Sequence, residues 1–310
     1  MISIDGEQCD LPGKEDVTFA TFTPSSKGAF DYAHAKSGTG ALPVFLFAHT
    51  YGGDSKCHTP LLQAVADKGY ICVVADRTND IRPEISTKDF VVSAFFRATT
   101  VCALSSDGTW LAACLDWIKK QAKVDGFTPD LTKVVAGGFS MGGVEVINFV
   151  GTHPPEVKAL IVISPSTDKM GEPLFQFSYD KIQQQLGGLT IPSLFITSKY
   201  DNGKAVCKAH FDVTPSPSAL LSFADAHLDN SMSLTSETTM WKIHGPQRSW
   251  LLKCLGDVLL GGGLRRHFAV ASERKVVSAD PIAAFVEKHV YGRDETPLAP
   301  PEAIDDLFTK

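Results

Sequence analysis

Two hydrophobic patterns alternate along the chain. Short continuous apolar runs predict buried β-strands, and stretches with apolar residues every three or four positions predict helices packed on them. The predicted strands are residues 17–22, 42–48, 70–75, 133–136, 159–163, 191–197 and 219–223. The predicted helices are residues 59–68, 108–122, 144–150, 181–186, 204–211, 248–260 and 280–290. This alternation favours an α/β fold, with a mostly parallel central sheet and helices on both faces.

Three further segments carry weaker patterns. Residues 30–35 predict a short strand that partners residues 17–22, and residues 77–106 form a long connection with one helical piece at 89–97. After a proline-rich stretch at 296–301 the chain is acidic and polar. We therefore predict a single catalytic domain over residues 1–265 and a C-terminal extension, 266–310, with a peripheral helix and a mobile tail.

Composition narrows the classes of partner. The net charge of −6 and the lack of a long basic run argue against a general nucleic-acid role. No apolar run is long enough to predict a membrane span, and the N-terminus lacks the pattern of a signal peptide. We expect a cytoplasmic location, although a secreted chain whose leader had been removed would read the same. The seven cysteines form no C-x-x-C pair, so no metal site is predicted, and mostly buried thiols are favoured over one or two disulfides.

One stretch carries the strongest chemical signal. Gly138-Phe139-Ser140-Met141-Gly142 fits the G-x-S-x-G nucleophile elbow and stands between a predicted strand and a predicted helix. On so sharp a turn, neighbours two positions from the serine must lack bulk, and the hydroxyl stands clear above a helix N-terminus. The alternative interpretation is an ordinary glycine-rich strand-to-helix turn. The strand–turn–helix setting favours Ser140 as a nucleophile.

A serine nucleophile needs a base, and the base needs a carboxylate. In the α/β-hydrolase arrangement these follow in the order serine, acid, histidine, at the ends of successive strands. Asp201 follows the strand at 191–197, and Asp168 after the preceding strand is the rival acid. His227 follows the strand at 219–223, and His244 is the rival base.

The oxyanion of the tetrahedral intermediate needs two backbone N–H donors. The residue after the nucleophile, Met141, supplies one in this arrangement. The second comes from the loop after the strand at 42–48, and Tyr51 is the predicted donor. Gly52-Gly53 would let this loop lie close to a substrate. No metal or organic cofactor is required by this chemistry.

Four stretches in order resemble the α/β-hydrolase superfamily, and within it chlorophyllases, dienelactone-hydrolase-like esterases and cutinase-like polyester hydrolases. They are residues 42–49, residues 61–73, the elbow, and His227 with its loop. The resemblance covers roughly residues 40–260. It implies the α/β-hydrolase fold, with Ser140, Asp201 and His227 as the triad and Tyr51 and Met141 as oxyanion donors.

The chain also departs from this group. His49-Thr50 stands where the oxyanion loop usually has His-Gly. Polyester hydrolases of the group generally carry a tryptophan soon after the strand that follows the elbow, where this chain has Ser164-Pro165-Ser166-Thr167. Met141 replaces the arginine typical of plant chlorophyllases.

The resemblance implies a serine carboxylic-ester hydrolase. Its substrates would be small to medium acyl or aromatic esters, with polyesters left open. An acyltransferase or thioesterase with the same triad is an alternative. A catalytically inactive scaffold used for binding is a second one, because fold alone does not decide function.

Overall fold

A central sheet is built from the apolar runs of the sequence. The computed structural model describes residues 2–5, 18–37, 40–49, 55–76, 107–165, 177–198, 204–223, 279–293 and 304–310. The strands within these ranges are β1 (Ile2–Asp5), β2 (Thr18–Phe22), β3 (Ala41–Ala48), β4 (Ile71–Asp76), β5 (Thr128–Phe139), β6 (Val157–Ile163), β7 (Ser193–Ser198), β8 (Ser218–Phe223) and β9 (Ile304–Thr309). The seven strands that the sequence predicts at 17–22, 42–48, 70–75, 133–136, 159–163, 191–197 and 219–223 are confirmed.

The helices of the described ranges connect these strands. They are α1 (Lys27–Ser37), α2 (Thr59–Asp67), α3 (Thr109–Lys120), α4 (Met141–Val150), α5 (Tyr179–Gly187), α6 (Lys204–Val213) and α7 (Asp280–Tyr291). A short 3₁₀ turn, Ser55–His58, leads into α2. The predicted helices at 89–97 and 248–260 lie outside the described residues.

The sheet has nine strands in the order β1-β2-β4-β3-β5-β6-β7-β8-β9. The six strands from β4 to β8 in this order are parallel to one another, whereas β2 and β9 run antiparallel to their inner neighbours β4 and β8. The crossovers between parallel strands are helical, as such a sheet requires. All six parallel strands therefore end at one edge of the sheet, the carboxyl edge.

Alternate residues of each parallel strand enter two separate cores, because successive side chains point to opposite faces. Val44 and Leu46 of β3 belong to one core, and Phe45 and Phe47 belong to the other. Helices α3, α4, α5 and α6 cover the first face, and α2 and α7 cover the second. The two-sided burial explains why these strands read as continuous apolar runs rather than alternating ones.

The structure differs from the sequence prediction at residues 30–35, which belong to helix α1 and not to a strand. The Ser26 hydroxyl oxygen accepts a 3.1 Å hydrogen bond from the Ala29 N–H, which caps the start of this helix. Six residues are too few for periodicity to separate a strand from a helix.

The last described residues also differ from the predicted peripheral helix and mobile tail. Ile282, Phe285 and Val286 of α7 are buried against the sheet, and β9 pairs antiparallel with β8. The pairing of β9 joins residues about 85 positions apart, so no local pattern could reveal it. The boundary at residue 265 stays a prediction, because it lies outside the described residues.

Candidate active site

The loop between β5 and α4 holds Ser140 in an unusual conformation. Its φ is 56° and its ψ is −119°, a backbone conformation that costs a non-glycine residue on the order of 1–3 kcal/mol. Two backbone hydrogen bonds hold it. Ser140 N–H donates to the Ile163 carbonyl on β6 at 3.0 Å, and Gly143 N–H donates to the Ser140 carbonyl at 3.0 Å. The surrounding structure therefore fixes the strained turn that the sequence predicts.

Two glycines make room for this turn. A Cβ added at Gly138 would lie 2.1 Å from the Gly142 carbonyl oxygen, and one added at Gly142 would lie 2.1 Å from the Ala48 carbonyl oxygen. Backbone atoms cannot yield as a flexible side chain can. The G-x-S-x-G spacing is thus a steric requirement of the chain path at this point. A mostly parallel sheet with this elbow at the carboxyl end of a central strand has the α/β-hydrolase fold, as predicted.

Burial singles out the serine within its segment. All ten residues of α4 are buried, whereas Ser140 immediately before them is partly exposed. The first N–H groups of a helix have no acceptor within it, and the helix dipole favours negative charge there. Ser140 is therefore held where a substrate can reach it, directly before a helix terminus that stabilises an anion.

Of the two predicted oxyanion donors, only Met141 lies within the described residues. Met141 is 7% exposed and occupies the first position of α4, so its N–H is one of those terminal donors. Tyr51 lies outside the described residues. The end of β3 that leads to it lies against the elbow, since a Cβ at Gly142 would also be 2.8 Å from the His49 carbonyl oxygen.

The chain beyond that loop returns to the elbow through His58. Its ring is 1% exposed and makes edge contacts with Phe47 and with Phe139, at centroid distances of 5.1 and 5.5 Å. Burial lowers the pKa of His58 to about 3, so the imidazole is neutral at physiological pH. Phe139 directly precedes the nucleophile candidate. Residues 49 and 58 thus bracket the Tyr51 loop and are both packed beside the elbow.

The two remaining triad candidates, Asp201 and His227, lie outside the described residues, as do the rivals Asp168 and His244. The strands that precede them are described. β7 ends at Ser198 and β8 ends at Phe223, three and four residues before Asp201 and His227. Since β5, β6, β7 and β8 are consecutive parallel neighbours, both loops begin at the carboxyl edge that carries Ser140.

Sequence reasoning did not single out Glu145, a buried carboxylate within the apolar helix α4. Its Oε1 accepts a 3.1 Å hydrogen bond from the Leu111 N–H in the first turn of α3. A Cβ at Gly108, just before α3, would lie 2.6 Å from the Phe149 backbone nitrogen. Helix α3 is therefore clamped to the elbow helix at its N-terminus. A charged residue inside an apolar helical run was the available signal.

A metal centre and a membrane-spanning helix are two features that the described residues could also contain. Within them, no group of three or more His, Cys, Asp or Glu side chains could hold a metal ion. No helix in the described part of the chain is long and apolar enough to cross a membrane. Cys72, Cys114 and Cys207 are buried thiols, and burial raises the pKa of Cys72. Of the other four cysteines, Cys57 lies in the short 3₁₀ turn before α2, and Cys9, Cys102 and Cys254 lie outside the described residues.

Comparisons with known proteins find similar solved structures but no matching family model. No protein-family model matches the sequence, and no curated protein matches it. The chain is similar to the crystal structure of dienelactone hydrolase from Anabaena variabilis ATCC 29413, with 16% sequence identity and a TM-score of 0.48. That likeness covers 78% of this chain and 98% of the other. The strand order and the elbow, and not this likeness, identify the fold.

Proposed function

We propose that this protein is a serine carboxylic-ester hydrolase. Ser140 is the nucleophile, His227 the general base, and Asp201 the carboxylate that orients the base. The N–H groups of Met141 and Tyr51 bind the oxyanion. The single observation that carries the proposal is the conformation of Ser140, a strained, partly exposed serine before a buried helix N-terminus.

The reaction has two halves. Ser140 Oγ attacks the ester carbonyl carbon while His227 removes its proton, and the oxyanion is stabilised by two N–H groups. The ester C–O bond then breaks, and His227 gives the proton to the departing alcohol. Water attacks the acyl-enzyme in the same way and releases the acid, and the proton returns to Ser140. Asp201 holds the imidazole in the required tautomer.

The topology of the sheet supports the positions of the acid and the base. Strands β7 and β8 lie one and two places beyond β6, which is hydrogen-bonded to the elbow strand. Loops that leave them begin within a few strand spacings of Ser140, and adjacent strands are about 4.8 Å apart. A carboxylate and a histidine on these loops can reach one serine.

The experiment compares the hydrolysis of p-nitrophenyl esters of short to long acyl chains by the wild type and by single variants. Ser140→Ala, Asp201→Asn and His227→Ala each should lose activity by orders of magnitude, whereas Asp168→Asn and His244→Ala should retain it. Loss in Asp168→Asn or in His244→Ala, with the matching proposed residue silent, would transfer that role to the rival.

The same assay separates the other functions. If a competing alcohol captures the acyl group more efficiently than water does, the protein is an acyltransferase. If thioesters are turned over faster than the corresponding esters, it is a thioesterase. Polyester cleavage is read directly from released monomers. A properly folded wild type that turns over none of these esters and does not react with a serine-directed phosphonate would favour a binding scaffold.

A further inference from the structure

Helix α4, which follows the elbow, buries a carboxylate. Glu145 is 1% exposed, and its neighbours Val144 and Val146 are buried apolar residues. Burial of a carboxylate is costly unless hydrogen bonds compensate for the lost water. An apolar side chain at this position would avoid that cost. The presence of Glu145 therefore calls for a contact that an apolar side chain could not make.

That contact is with the first turn of α3. The N–H of Leu111, the third residue of α3, donates a 3.1 Å hydrogen bond to Glu145 Oε1. In most helices the residue just before the first turn provides this acceptor from its own side chain. In α3 that residue is Gly108, which has no side chain. The dipole of α3 also favours a carboxylate at its N-terminus. Glu145 thus caps α3 from the neighbouring helix.

Close packing of the two helices explains why the cap comes from α4. A Cβ at Gly108 would lie 2.6 Å from the Phe149 backbone nitrogen, so the serine, threonine or aspartate that usually caps a helix has no room there. Phe149 follows Glu145 by one helical turn. Helix α3 therefore contacts α4 at two successive turns, once through backbone packing and once through the Glu145 carboxylate.

The capping contact lies one turn from the candidate oxyanion donor. Glu145 follows Met141 by four residues, so the two lie on the same face of α4, about 6 Å apart along its axis. At the elbow itself the sheet holds the chain, because the Ser140 N–H donates to the Ile163 carbonyl at 3.0 Å. A helix held at its start by the sheet and one turn later by α3 has a fixed direction. That direction sets where its first N–H groups point.

We propose that Glu145 is a positioning residue for the oxyanion site. By capping α3, its carboxylate fixes the direction of α4 and therefore the aim of the Met141 N–H. The inference rests on the proposed function, because it requires Ser140 as the nucleophile and Met141 as an oxyanion donor. Glu145 acts on the rate only through α4. Since the oxyanion forms only as the reaction proceeds, the effect falls on kcat and not on KM.

Two substitutions at position 145 separate the hydrogen bond from the side-chain volume. Glu145→Gln keeps an oxygen that can accept from the Leu111 N–H, whereas Glu145→Met fills a similar space with an apolar side chain and removes the acceptor. The matched control is Asp107→Ala. Asp107 is exposed, and its Oδ1 accepts from the Thr109 N–H at 2.9 Å. This change removes a hydrogen bond from the same turn of α3, but not the one that joins α3 to α4.

We expect Glu145→Met to lower kcat on a p-nitrophenyl ester about tenfold with KM unchanged, because a small displacement of an oxyanion donor slows the reaction without weakening substrate binding. Glu145→Gln should keep kcat near that of the wild type. Asp107→Ala should lower the temperature of unfolding and keep the wild-type kcat. Wild-type kcat in Glu145→Met, or an equal loss in Glu145→Gln or in Asp107→Ala, would overturn the inference.

Titration with a fluorophosphonate counts the reactive serines in each preparation. Expressed per reactive serine, kcat of a partly unfolded Glu145→Met protein is not mistaken for slow turnover. Ser140→Ala, assayed alongside, separates the two possible failures. If Ser140→Ala is inactive and Glu145→Met keeps the wild-type kcat, the nucleophile stands and the positioning role is rejected. If Ser140→Ala retains activity, the proposed function is rejected, and the inference with it.

Discussion

Four non-glycine residues of the described chain have a positive φ, and they fall into two pairs at opposite edges of the sheet. Asp125 and His153 lie in exposed turns at the amino edge, before β5 and before β6. Ser140 and Ser164 lie at the carboxyl edge, directly after the same two strands. The local strain is similar, with φ between 42° and 56°, but the surroundings are not.

The difference indicates what each pair is for. At the amino edge the positive φ values belong to solvent-exposed turns, and the side chain of His153 is exposed. At the carboxyl edge the neighbouring backbone passes so close that two glycines flank Ser140, and Ser164 is buried. Backbone strain that packing enforces at the carboxyl edge supports the proposal of a site there, whereas strain in an exposed turn gives it no such support.

The largest effect is expected at the nucleophile. Ser140→Ala should lower kcat/KM for an active ester substrate by at least about 10³-fold with little change in the free energy of unfolding, because only one hydroxyl is removed. Steady-state kinetics and chemical denaturation measure the two quantities. If Ser140→Ala kept activity within a few-fold of the wild type, the carboxyl edge would not differ in function from the amino edge.

The next effect concerns the space around the elbow. Gly142→Ala places a Cβ 2.1 Å from the Ala48 carbonyl oxygen, so the backbone of β3 or α4 must shift. We expect a loss of about 1–3 kcal/mol of stability and at least about a hundredfold loss in activity. Gly28→Ala is the matched control, because a Cβ there meets nothing within 4 Å in helix α1. It should be neutral or stabilising by up to about 1 kcal/mol.

The lowered pKa values of two buried histidines predict how the stability of the protein depends on pH. Burial lowers the pKa of His58, beneath the elbow, to about 3 and that of His210, in the last turn of α6, to about 4. In the unfolded chain both titrate near 6.5. Between these values the unfolded state binds more protons, so the free energy of unfolding falls as the pH falls below about 6.5.

The slope approaches about 1.4 kcal/mol per pH unit for each histidine. Denaturation curves at pH 7.5, 6 and 5 measure it. His210→Gln removes one of the two titrating groups, so the slope should fall by up to about 1.4 kcal/mol per pH unit. Esterase activity should stay near that of the wild type, because His210 lies on α6 and not at the elbow. An unchanged slope in this variant would contradict the assignment of a neutral buried imidazole.

The smallest effect is expected at the amino edge. His153→Gly replaces an exposed residue at φ 55° by one that adopts this conformation without strain. Stability should rise by at most about 1 kcal/mol, since glycine also increases the entropy of the unfolded chain. Ester hydrolysis should be unchanged. A marked loss of activity in His153→Gly would show that the two edges are not functionally distinct.

The elbow and the parallel strands could be predicted because their causes are local. Gly138, Ser140 and Gly142 stand within five residues, and apolar runs such as β3 report burial on both faces. The antiparallel edge strand β9 and the burial of α7 could not be predicted, since they depend on contacts with strands far away in the sequence.

The candidate site was predicted unevenly for the same reason. Ser140 and Met141 lie where the motif places them, while Asp201, His227 and Tyr51 stay predictions. In the sequence, the segment that begins at Ser164 is distinctive only because it lacks a tryptophan. Neither its positive φ nor its buried hydroxyl has a signature in the sequence, because both follow from how β6 meets its neighbours.

The most direct test of the central claim is chemical labelling of the nucleophile. The wild-type protein is treated with a fluorophosphonate and digested, and mass spectrometry locates the adduct. The account predicts one phosphonyl group per chain, on Ser140, and none on a protein unfolded before treatment. A folded protein that gives no adduct, or that carries the adduct on another serine, would contradict it.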